Sequence, residues 1–130
     1  ENMLSKSYIH GDLTGGNACV SQNHEFIFFD FDCCGYGWRA YDLATFYWSA
    51  HMCNKPEEWN DFLEGYCSLE SLNNVELSAI PVLAMLRQIW IIGCSIRQIS
   101  VKGTLFYKPK SLREDIDCLR KMSKKRKLPY

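Results

Sequence analysis

The chain has 130 residues, 47% of them hydrophobic and 23% charged, and its 15 basic and 15 acidic side chains give a formal net charge of zero. This composition is typical of one globular domain with a core of its own, and the balanced charge argues against nucleic acid as a partner. Seven cysteines without a C-x-x-C pair argue against a disulfide framework or a zinc site, and they favour a reducing, cytoplasmic setting.

The beginning of the chain predicts a small β region. The run 7–10 predicts a short strand that enters a glycine-rich loop. The runs 18–21 and 25–29 flank a polar turn and predict a β-hairpin. The second of these runs has no polar alternation, so we expect it to be buried on both faces. Residues 30–39 contain two glycines and predict a loop.

The rest of the chain predicts helices. Apolar residues at three- and four-residue spacing predict a helix over 41–52. Pro56, followed by two acidic residues, predicts the start of a second helix. A long apolar helix is expected over about 75–101 and should end at Gly103. Ser111, with a glutamate three residues later, predicts a capping box for the last helix.

Two stretches bear on membrane and nucleic-acid partners. The longest apolar run, 80–93, is interrupted by Pro81, Arg87 and Gln88. We expect it to be too short and too polar to span a membrane, so no membrane partner is predicted. The basic run 121–127 is compatible with a nucleic-acid signal, but it is more typical of a frayed, solvated terminus.

Three polar residues stand out by type and spacing. Asp12 lies on the glycine-rich loop, Asn17 follows five residues later, and Asp30 ends the hairpin thirteen residues after that. Two strands joined by a tight turn bring Asn17 and Asp30 side by side, which predicts a two-oxygen Mg²⁺ site. Asp12 then fits the carboxylate that orients and deprotonates a hydroxyl during phosphoryl transfer. Taken singly, Asp12 and Asn17 are better explained as turn residues and Asp30 as an aspartate that ends a strand, so the prediction rests on the combination.

These motifs carry a family resemblance. His-Gly-Asp-x-x-x-x-Asn at 10–17, Phe-Asp-Phe-Asp at 29–32, Gly-Tyr-Gly at 35–37 and Tyr-Asp-Leu-Ala at 41–44 resemble the aminoglycoside phosphotransferase and choline kinase family, small-molecule relatives of the protein kinases. The resemblance is specific over 7–48. It implies an α+β fold, the C-terminal lobe of a protein-kinase-like fold, with a small β-hairpin catalytic region packed on a mainly α-helical bundle.

The resemblance also implies a role for each matching residue. Asp12 corresponds to the catalytic base for the acceptor hydroxyl, and Asn17 and Asp30 correspond to the residues that hold Mg²⁺. His10 is implied to brace the catalytic loop, and it is grouped with Asn17, Asp30 and Asp32 as cofactor-binding. For Asp32, a second metal contact, a contact with a cationic acceptor and simple exposure on the loop remain alternatives.

Two residues near the start of the first helix belong to the same implied site. Asp42 is implied to anchor the loop by accepting backbone N–H bonds, although the helix dipole also favours an aspartate at this position. Arg39 is expected either to pair with a nearby aspartate or to be solvated.

A complete kinase has an N-terminal lobe with a phosphate-covering loop and a lysine that binds the phosphates. No such elements precede Tyr8, and the chain has neither a G-x-G-x-x-G motif nor a P-loop. We therefore expect a single domain over 1–130, the C-terminal lobe alone, in which use of ATP requires the missing lobe and which is inactive by itself. The apolar face left uncovered predicts a homodimer.

The leading functional hypothesis is the catalytic lobe of an ATP- and Mg²⁺-dependent phosphotransferase. The resemblance implies a small hydroxyl acceptor such as an aminoglycoside, choline, ethanolamine, homoserine or a related amino alcohol. The alternatives are a non-catalytic, truncated remnant that serves as a binding module, and a phosphotransferase of the protein-kinase type. Gly11 in place of an arginine before Asp12 favours the small-molecule group over the last of these.

Overall fold

The structure, a computed structural model, describes residues 3–103 and 109–124. A β region precedes a helical region, as expected for an α+β lobe. The strands are β1 (Lys6–Ile9), β2 (Ala18–Val20), β3 (Phe26–Phe28) and β4 (Gly35–Trp38), with a 3₁₀ turn, Gly15–Asn17, before β2. The helices are α1 (Ala40–Met52), α2 (Pro56–Leu69), α3 (Asn74–Lys102) and α4 (Pro109–Lys124).

Strands β1 and β4 form an antiparallel ribbon in which Tyr8 lies opposite Tyr36, with their rings edge to face at 5.8 Å. The loop predicted over 30–39 is therefore wrong in its second half, because the glycines that suggested a loop belong to β4. At Gly37 a Cβ would lie 2.8 Å from Cδ1 of Ile9, so a residue with a side chain there would require the end of the Ile9 side chain to move. The ribbon leads directly into α1 and so fixes where the loop after β1 meets that helix.

The hairpin predicted around the polar turn is confirmed, with β2 and β3 antiparallel. The hydroxyl of Ser21 closes the turn by accepting hydrogen bonds from the backbone amides of Asn23 and Glu25. The expectation that 26–29 is buried on both faces is wrong, since all four residues are exposed, Phe26 by 74%. The reason is that two strands form only a narrow ribbon, and the apolar side chains of β3 border an open cavity.

Helix α1 lies at the centre of the core and packs chiefly against α3 and also against α2. Leu43 on α1 and Ile80 on α3 are almost completely buried, and burial of such a side chain contributes about 1.5–3 kcal/mol. From α2, the ring of Phe62 stacks on Phe46 at 4.0 Å. The buried core consists of Ala40, Leu43, Ala44, Tyr47, Ala50, Trp59, Ile80, Leu83 and Ala84.

Helix α3 begins with a capping box that was not anticipated. Asn73 accepts from the backbone amide of Glu76, and the Glu76 carboxylate accepts from the amide of Asn73. The predicted end at Gly103 is confirmed, and this glycine takes a φ of 73°, which favours a residue without a side chain. Pro81 lies inside the helix without ending it.

By length and composition alone, α3 is long and apolar enough to cross a membrane, with a mean hydropathy of 1.7. The run 80–93 lies inside this helix, whose expected range of about 75–101 is confirmed, and by length and composition the judgement that the run is too short and too polar to span a membrane is wrong. A helix that crosses a protein core has the same length and composition, and 39% of the apolar window is buried inside this protein. The absence of a membrane partner stays a prediction.

Helix α4 packs on α3 and begins at Pro109. Its start lies two residues before Ser111, so the predicted capping box falls inside the helix and that prediction is wrong. A proline is favoured in the first helical position, where its missing N–H would have no partner. Of the basic run 121–127, Lys121 to Lys124 belong to α4 and 125–127 lie outside the described residues.

Candidate active site

The loop after β1 is anchored by the first turn of α1. The carboxylate of Asp42 accepts hydrogen bonds from the backbone amides of His10 and Gly11, both at 2.8 Å, which confirms the anchoring role implied for it. Gly11 takes a φ of 78°, and a Cβ there would lie 2.1 Å from the carbonyl oxygen of Cys33. The path of the loop therefore depends on a glycine at this position and on an aspartate in α1.

His10 is 7% exposed and braces the same loop from inside. Its Nε2 lies 2.9 Å from the carbonyl oxygen of Phe29, and its Nδ1 accepts from the backbone amide of Asp12 at 3.3 Å. Because Nδ1 accepts, the ring proton lies on Nε2 and is donated to Phe29. The ring also packs on Phe31 at 4.5 Å. Both ring nitrogens bond to the protein backbone, which fits bracing; a direct contact between His10 and a cofactor stays a prediction.

Asp12 has its backbone and its side chain held by different partners. Its carbonyl oxygen accepts from the side-chain amide of Asn17 at 2.9 Å. Its carboxylate forms an ion pair with Nη2 of Arg87, a residue on α3. The side chain of Asp12 is 24% exposed while that of Arg87 is 5% exposed. A partly accessible carboxylate with a buried cation behind it can receive a proton from a group on its open side.

Asn17 and Asp30 lie at the open end of the hairpin. The carbonyl oxygen of Asn17 accepts from the backbone amide of Phe29 at 3.1 Å, so Asp30 follows immediately after the residue paired with Asn17. Asp30 is exposed and takes a φ of 65°, a conformation that aspartate tolerates better than most residues. The structure thus joins Asn17 to Asp12 by a hydrogen bond and brings the backbone of Asp30 next to Asn17.

The side chains at this end of the hairpin offer oxygen donors of the type that a hard divalent cation takes. In the described part of the chain, no group of three His, Cys, Asp or Glu side chains could hold a metal ion. Mg²⁺ commonly takes one or two protein oxygens and completes its shell with water and phosphate. Asn17 uses its amide nitrogen on Asp12, which leaves its side-chain oxygen free to act as a donor, and the exposed carboxylate of Asp30 is a second oxygen donor at the same end of the hairpin.

Asp32 lies in the turn between β3 and β4 and is exposed. The turn is closed by the backbone amide of Cys34, which donates to the carbonyl oxygen of Phe31 at 2.9 Å. Within residues 3–103 and 109–124, no hydrogen bond or ion pair to the Asp32 side chain is present. Its role in binding a cofactor stays a prediction.

Arg39 pairs with two glutamates, so neither expected alternative, an aspartate partner or a solvated side chain, is correct. Its Nε and Nη2 donate to the Glu76 carboxylate at 2.6 and 2.8 Å, and Nη1 donates to Glu70 at 3.1 Å. The hydrogen bond from Arg39 lowers the pKa of Glu76 to about 2. This cluster ties the end of β4 to the start of α3, and it therefore supports the anchor at Asp42 without being part of the site.

An apolar cavity of about 660 Å³ lies between the hairpin and helices α1 and α2. Val20 and Phe26 border it from the hairpin, and Phe46 and Phe62 border it from the helices. That this cavity belongs to the apolar face that was expected to be uncovered stays a prediction. The cavity lies next to the loop through Leu13 and Thr14, and it has almost no polar lining of its own.

Sequence reasoning treated Arg87 only as an interruption of an apolar run. Its actual position is inside the protein, beside the carboxylate of Asp12. A signal was present, because a charged residue in a helical window that is otherwise buried requires a partner. The identity of that partner was not readable, since the two residues are 75 positions apart.

Comparison with known proteins gives a consistent result. The family model described as "Phosphotransferase enzyme family" matches residues 2–77, more than half of the chain. An uncharacterized protein of Deinococcus radiodurans is 36% identical over an alignment of 106 residues, and the match covers 78% of this chain and 31% of that protein. An uncharacterized protein of Synechocystis sp. is 35% identical over 81 residues, covering 62% of this chain and 22% of that protein.

Among solved structures, the amicoumacin kinase hAmiN in complex with AMP-PNP, Ca²⁺ and Ami is similar to this chain, with a TM-score of 0.65 and 26% identity. The match covers 93% of this chain and 37% of that kinase. The chain thus spans about a third or less of the length of the relatives that it matches. The matched part is the one that contains the loop, the hairpin and the anchoring helix.

Proposed function

This chain belongs to the phosphotransferase enzyme family, and on that premise we propose that it forms the C-terminal catalytic lobe of an ATP- and Mg²⁺-dependent kinase that phosphorylates a hydroxyl of a small molecule. The observation that carries the proposal is the hydrogen bond from Asn17 to the carbonyl oxygen of Asp12. It couples the residue proposed as base to a residue proposed as metal ligand, within a loop whose backbone is already fixed.

Asp12 acts as the base in this proposal. Its carboxylate accepts the proton of the acceptor hydroxyl while the hydroxyl oxygen bonds to the terminal phosphorus of ATP and the bond to ADP breaks. The partial exposure of Asp12 supports this role, since a substrate hydroxyl can approach it. The chain contributes little covalent chemistry beyond this, so its main effect is positioning.

Asn17 and Asp30 are proposed to hold Mg²⁺, which when bound neutralises charge on the phosphates. Asp32 is proposed as a further contact with the cofactor, and His10 holds the loop from behind. The solved amicoumacin kinase is in complex with AMP-PNP and Ca²⁺, which supports use of a nucleotide and a divalent cation. Mg²⁺ is proposed because it is commonly bound by one or two protein oxygens together with substrate phosphates.

Nucleotide binding needs more than these residues. Kinases hold ATP between two lobes, and the phosphates are covered by a loop and a lysine from the first lobe. We propose that residues 1–130 by themselves bind a divalent cation weakly and turn over little or no ATP. By the full polypeptide we mean the longest natural polypeptide that carries these residues. In this proposal, a second lobe of that polypeptide completes the cleft that binds ATP.

The acceptor is proposed to be a small molecule with a hydroxyl, such as an aminoglycoside, an amino alcohol or a related metabolite. The solved relative is named as a kinase of amicoumacin, and the present chain shares its fold over this lobe.

The seven cysteines are all free, which supports a reducing, cytoplasmic location. The apolar face around the cavity supports association of two copies, which light scattering would reveal.

Phosphoryl transfer by the full polypeptide tests the proposal. It is incubated with ATP, Mg²⁺ and a panel of amino alcohols and aminoglycosides, and ADP release is compared between the wild type and Asp12→Asn. We expect Asp12→Asn to lose about 10²- to 10⁴-fold in kcat, the usual contribution of a positioned base. Asp117→Asn, which changes an exposed aspartate on α4, is the matched control and should retain activity.

Unchanged turnover in Asp12→Asn would remove Asp12 from the mechanism. A full polypeptide that turns over no acceptor on the panel, yet binds a nucleotide or a protein tightly, would instead favour the alternative of a non-catalytic binding module. The same assay on residues 1–130 alone checks the proposed dependence on a second lobe.

A further inference from the structure

Arg87 has a position that the proposed mechanism does not use. It lies on α3 and is 4% exposed, yet its guanidinium reaches the carboxylate of Asp12, which is 75 residues away in the chain. Among the described residues, no other charged side chain bonds to Asp12. A buried cation beside the proposed base requires an explanation.

The guanidinium of Arg87 is fixed by aromatic rings on two helices. Its central carbon lies 4.5 Å from the ring centre of Trp90 and 5.5 Å from that of Trp48, distances typical of cation–π contacts. The indole N–H of Trp48 donates to the side chain of Gln88 at 2.6 Å, and Gln88 donates to the carbonyl oxygen of Asp115 at 3.2 Å. Helices α1, α3 and α4 therefore all help to hold the cation in place.

The backbone of Asp12 does not need Arg87. Its N–H bonds to His10 and its carbonyl oxygen accepts from Asn17, while Asp42 holds the two preceding amides. The ion pair with Arg87 therefore acts on the Asp12 side chain alone. Loss of the pair should leave the path of the loop unchanged and free the carboxylate to rotate.

Arg87 also makes the two carboxylate oxygens of Asp12 different, because it bonds to only one of them. Nη2 of Arg87 contacts Oδ1 of Asp12, and Oδ2 has no hydrogen-bond partner in the described part of the chain. The Nε of Arg87 is buried without a partner there as well. The guanidinium is therefore oriented by Asp12 and the two indoles rather than by hydrogen bonds from all of its donors.

We infer that Arg87 is a positioning residue for the proposed phosphoryl transfer. By holding Oδ1 it fixes the rotamer of Asp12, so that Oδ2 faces the hydroxyl of the acceptor. The inference rests on the proposed function, because it assigns Arg87 to the same reaction. Arg87 itself neither receives the proton nor contacts the phosphates.

The test measures steady-state kinetics of the full polypeptide with Arg87→Met and Arg87→Lys. Met removes the charge but keeps an unbranched apolar stem, whereas Lys keeps the charge without the planar fork. We expect Arg87→Met to lose about 10- to 100-fold in kcat, the scale of a misplaced catalytic group, with KM for Mg·ATP unchanged. Arg87→Lys should recover part of the loss. Arg97→Met, an exposed arginine on the same helix, is the matched control.

A double-mutant cycle on residues 1–130 gives a readout that does not depend on activity. The free energies of unfolding of Asp12→Asn, Arg87→Met and the double variant are compared, and the two single effects should not add. If Arg87→Met does not fold, Arg87→Lys takes its place in both measurements. Additive effects would overturn the inference whatever the activity.

The outcomes separate this inference from the proposed function. Suppose that the wild type is active. If Arg87→Met then keeps its kcat, or loses affinity for Mg·ATP instead, the positioning role is overturned and the proposed function stands. A wild type without any phosphoryl transfer overturns the proposed function, and the positioning role falls with it even if the cycle shows coupling. An active wild type, a kcat-specific loss and non-additive unfolding together support Arg87 as proposed.

Discussion

Arg39 and Glu76 form a two-point ion pair, in which Nε and Nη2 of the arginine lie 2.6 and 2.8 Å from the two carboxylate oxygens of the glutamate. The Glu76 side chain is completely buried, and Arg39 is 20% exposed. The same carboxylate also closes the capping box of α3 by accepting from the amide of Asn73. One buried charge thus supports a helix start and the junction between β4 and α1.

This pair predicts a loss of stability in acid. The hydrogen bond from Arg39 lowers the pKa of Glu76 from its ordinary value of 4.5 to about 2. A carboxyl with a lowered pKa stabilises the fold above its unfolded pKa and loses that contribution as the pH falls through the folded pKa. We expect the free energy of unfolding to fall by about 3 kcal/mol between about pH 5 and about pH 2.

Urea unfolding at a series of pH values measures the slope of the free energy of unfolding against pH. Glu76→Gln should be less stable at neutral pH and should lack the part of the slope that Glu76 contributes. Glu57→Gln, which changes an exposed glutamate on α2, should keep the slope. An identical slope in Glu76→Gln and the wild type would contradict the assignment.

The anchor at Asp42 predicts a second effect. Asp42→Asn keeps one oxygen acceptor but turns an N–H₂ group toward the loop, so one of the two backbone amides loses its partner. We expect a loss of about 1.5–3 kcal/mol in the free energy of unfolding, together with faster hydrogen exchange at the amides of His10 and Gly11. Asp61→Asn, at an exposed position on α2, is the control, and equal exchange rates in both variants would count against the anchor.

Gly11→Ala should be among the most damaging single methyl additions to this chain. Gly11 has a φ of 78°, and the new Cβ would lie 2.1 Å from a backbone oxygen of Cys33. The backbone conformation alone costs about 1–2 kcal/mol for a residue with a side chain, so we expect a total loss of more than about 2 kcal/mol. Gly93→Ala in α3, where a Cβ meets nothing within 4 Å, should instead stabilise by about 0.5–1 kcal/mol. Thermal unfolding of both variants compares them directly.

The proposed metal site predicts a local response to Mn²⁺. Addition of Mn²⁺ to residues 1–130 should broaden the backbone amide NMR signals of Asn17 and Asp30 before those of α4. Asp30→Asn removes one charged ligand while tolerating the left-handed backbone, and the loss of such a contact should weaken binding about tenfold or more. Asp117→Asn should bind like the wild type. Broadening spread evenly over the surface would argue against the site.

The parts of the site that sequence reasoning predicted are those held by local structure. Asn17 and Asp30 flank one hairpin, and a hairpin's register fixes which residues meet at its open end. The anchor at Asp42 was implied by a motif that lies only 32 residues from the loop. In each case the neighbouring residue could be predicted, because the chain between the two residues is short or the motif is distinctive.

The parts that were missed depend on contacts between distant segments. Strand β4 exists because it pairs with β1, and its glycines resemble a loop when the partner is unknown. Phe26 looked like a core residue, because an apolar run does not reveal whether a second layer covers it. Arg87 reaches Asp12 only because α3 crosses behind the loop, a relationship that no spacing within the sequence encodes.

Apart from the ring of His10, the groups that fasten the Asp12 loop lie later in the chain than Asp12 itself. Asn17 and the carbonyl of Phe29 come first, Asp42 follows, and Arg87 comes last. A ribosome delivers these segments one after another from the amino end. The nascent loop can therefore settle its backbone once α1 has emerged, but its carboxylate finds its counter-ion only after the first half of α3 has left the exit tunnel.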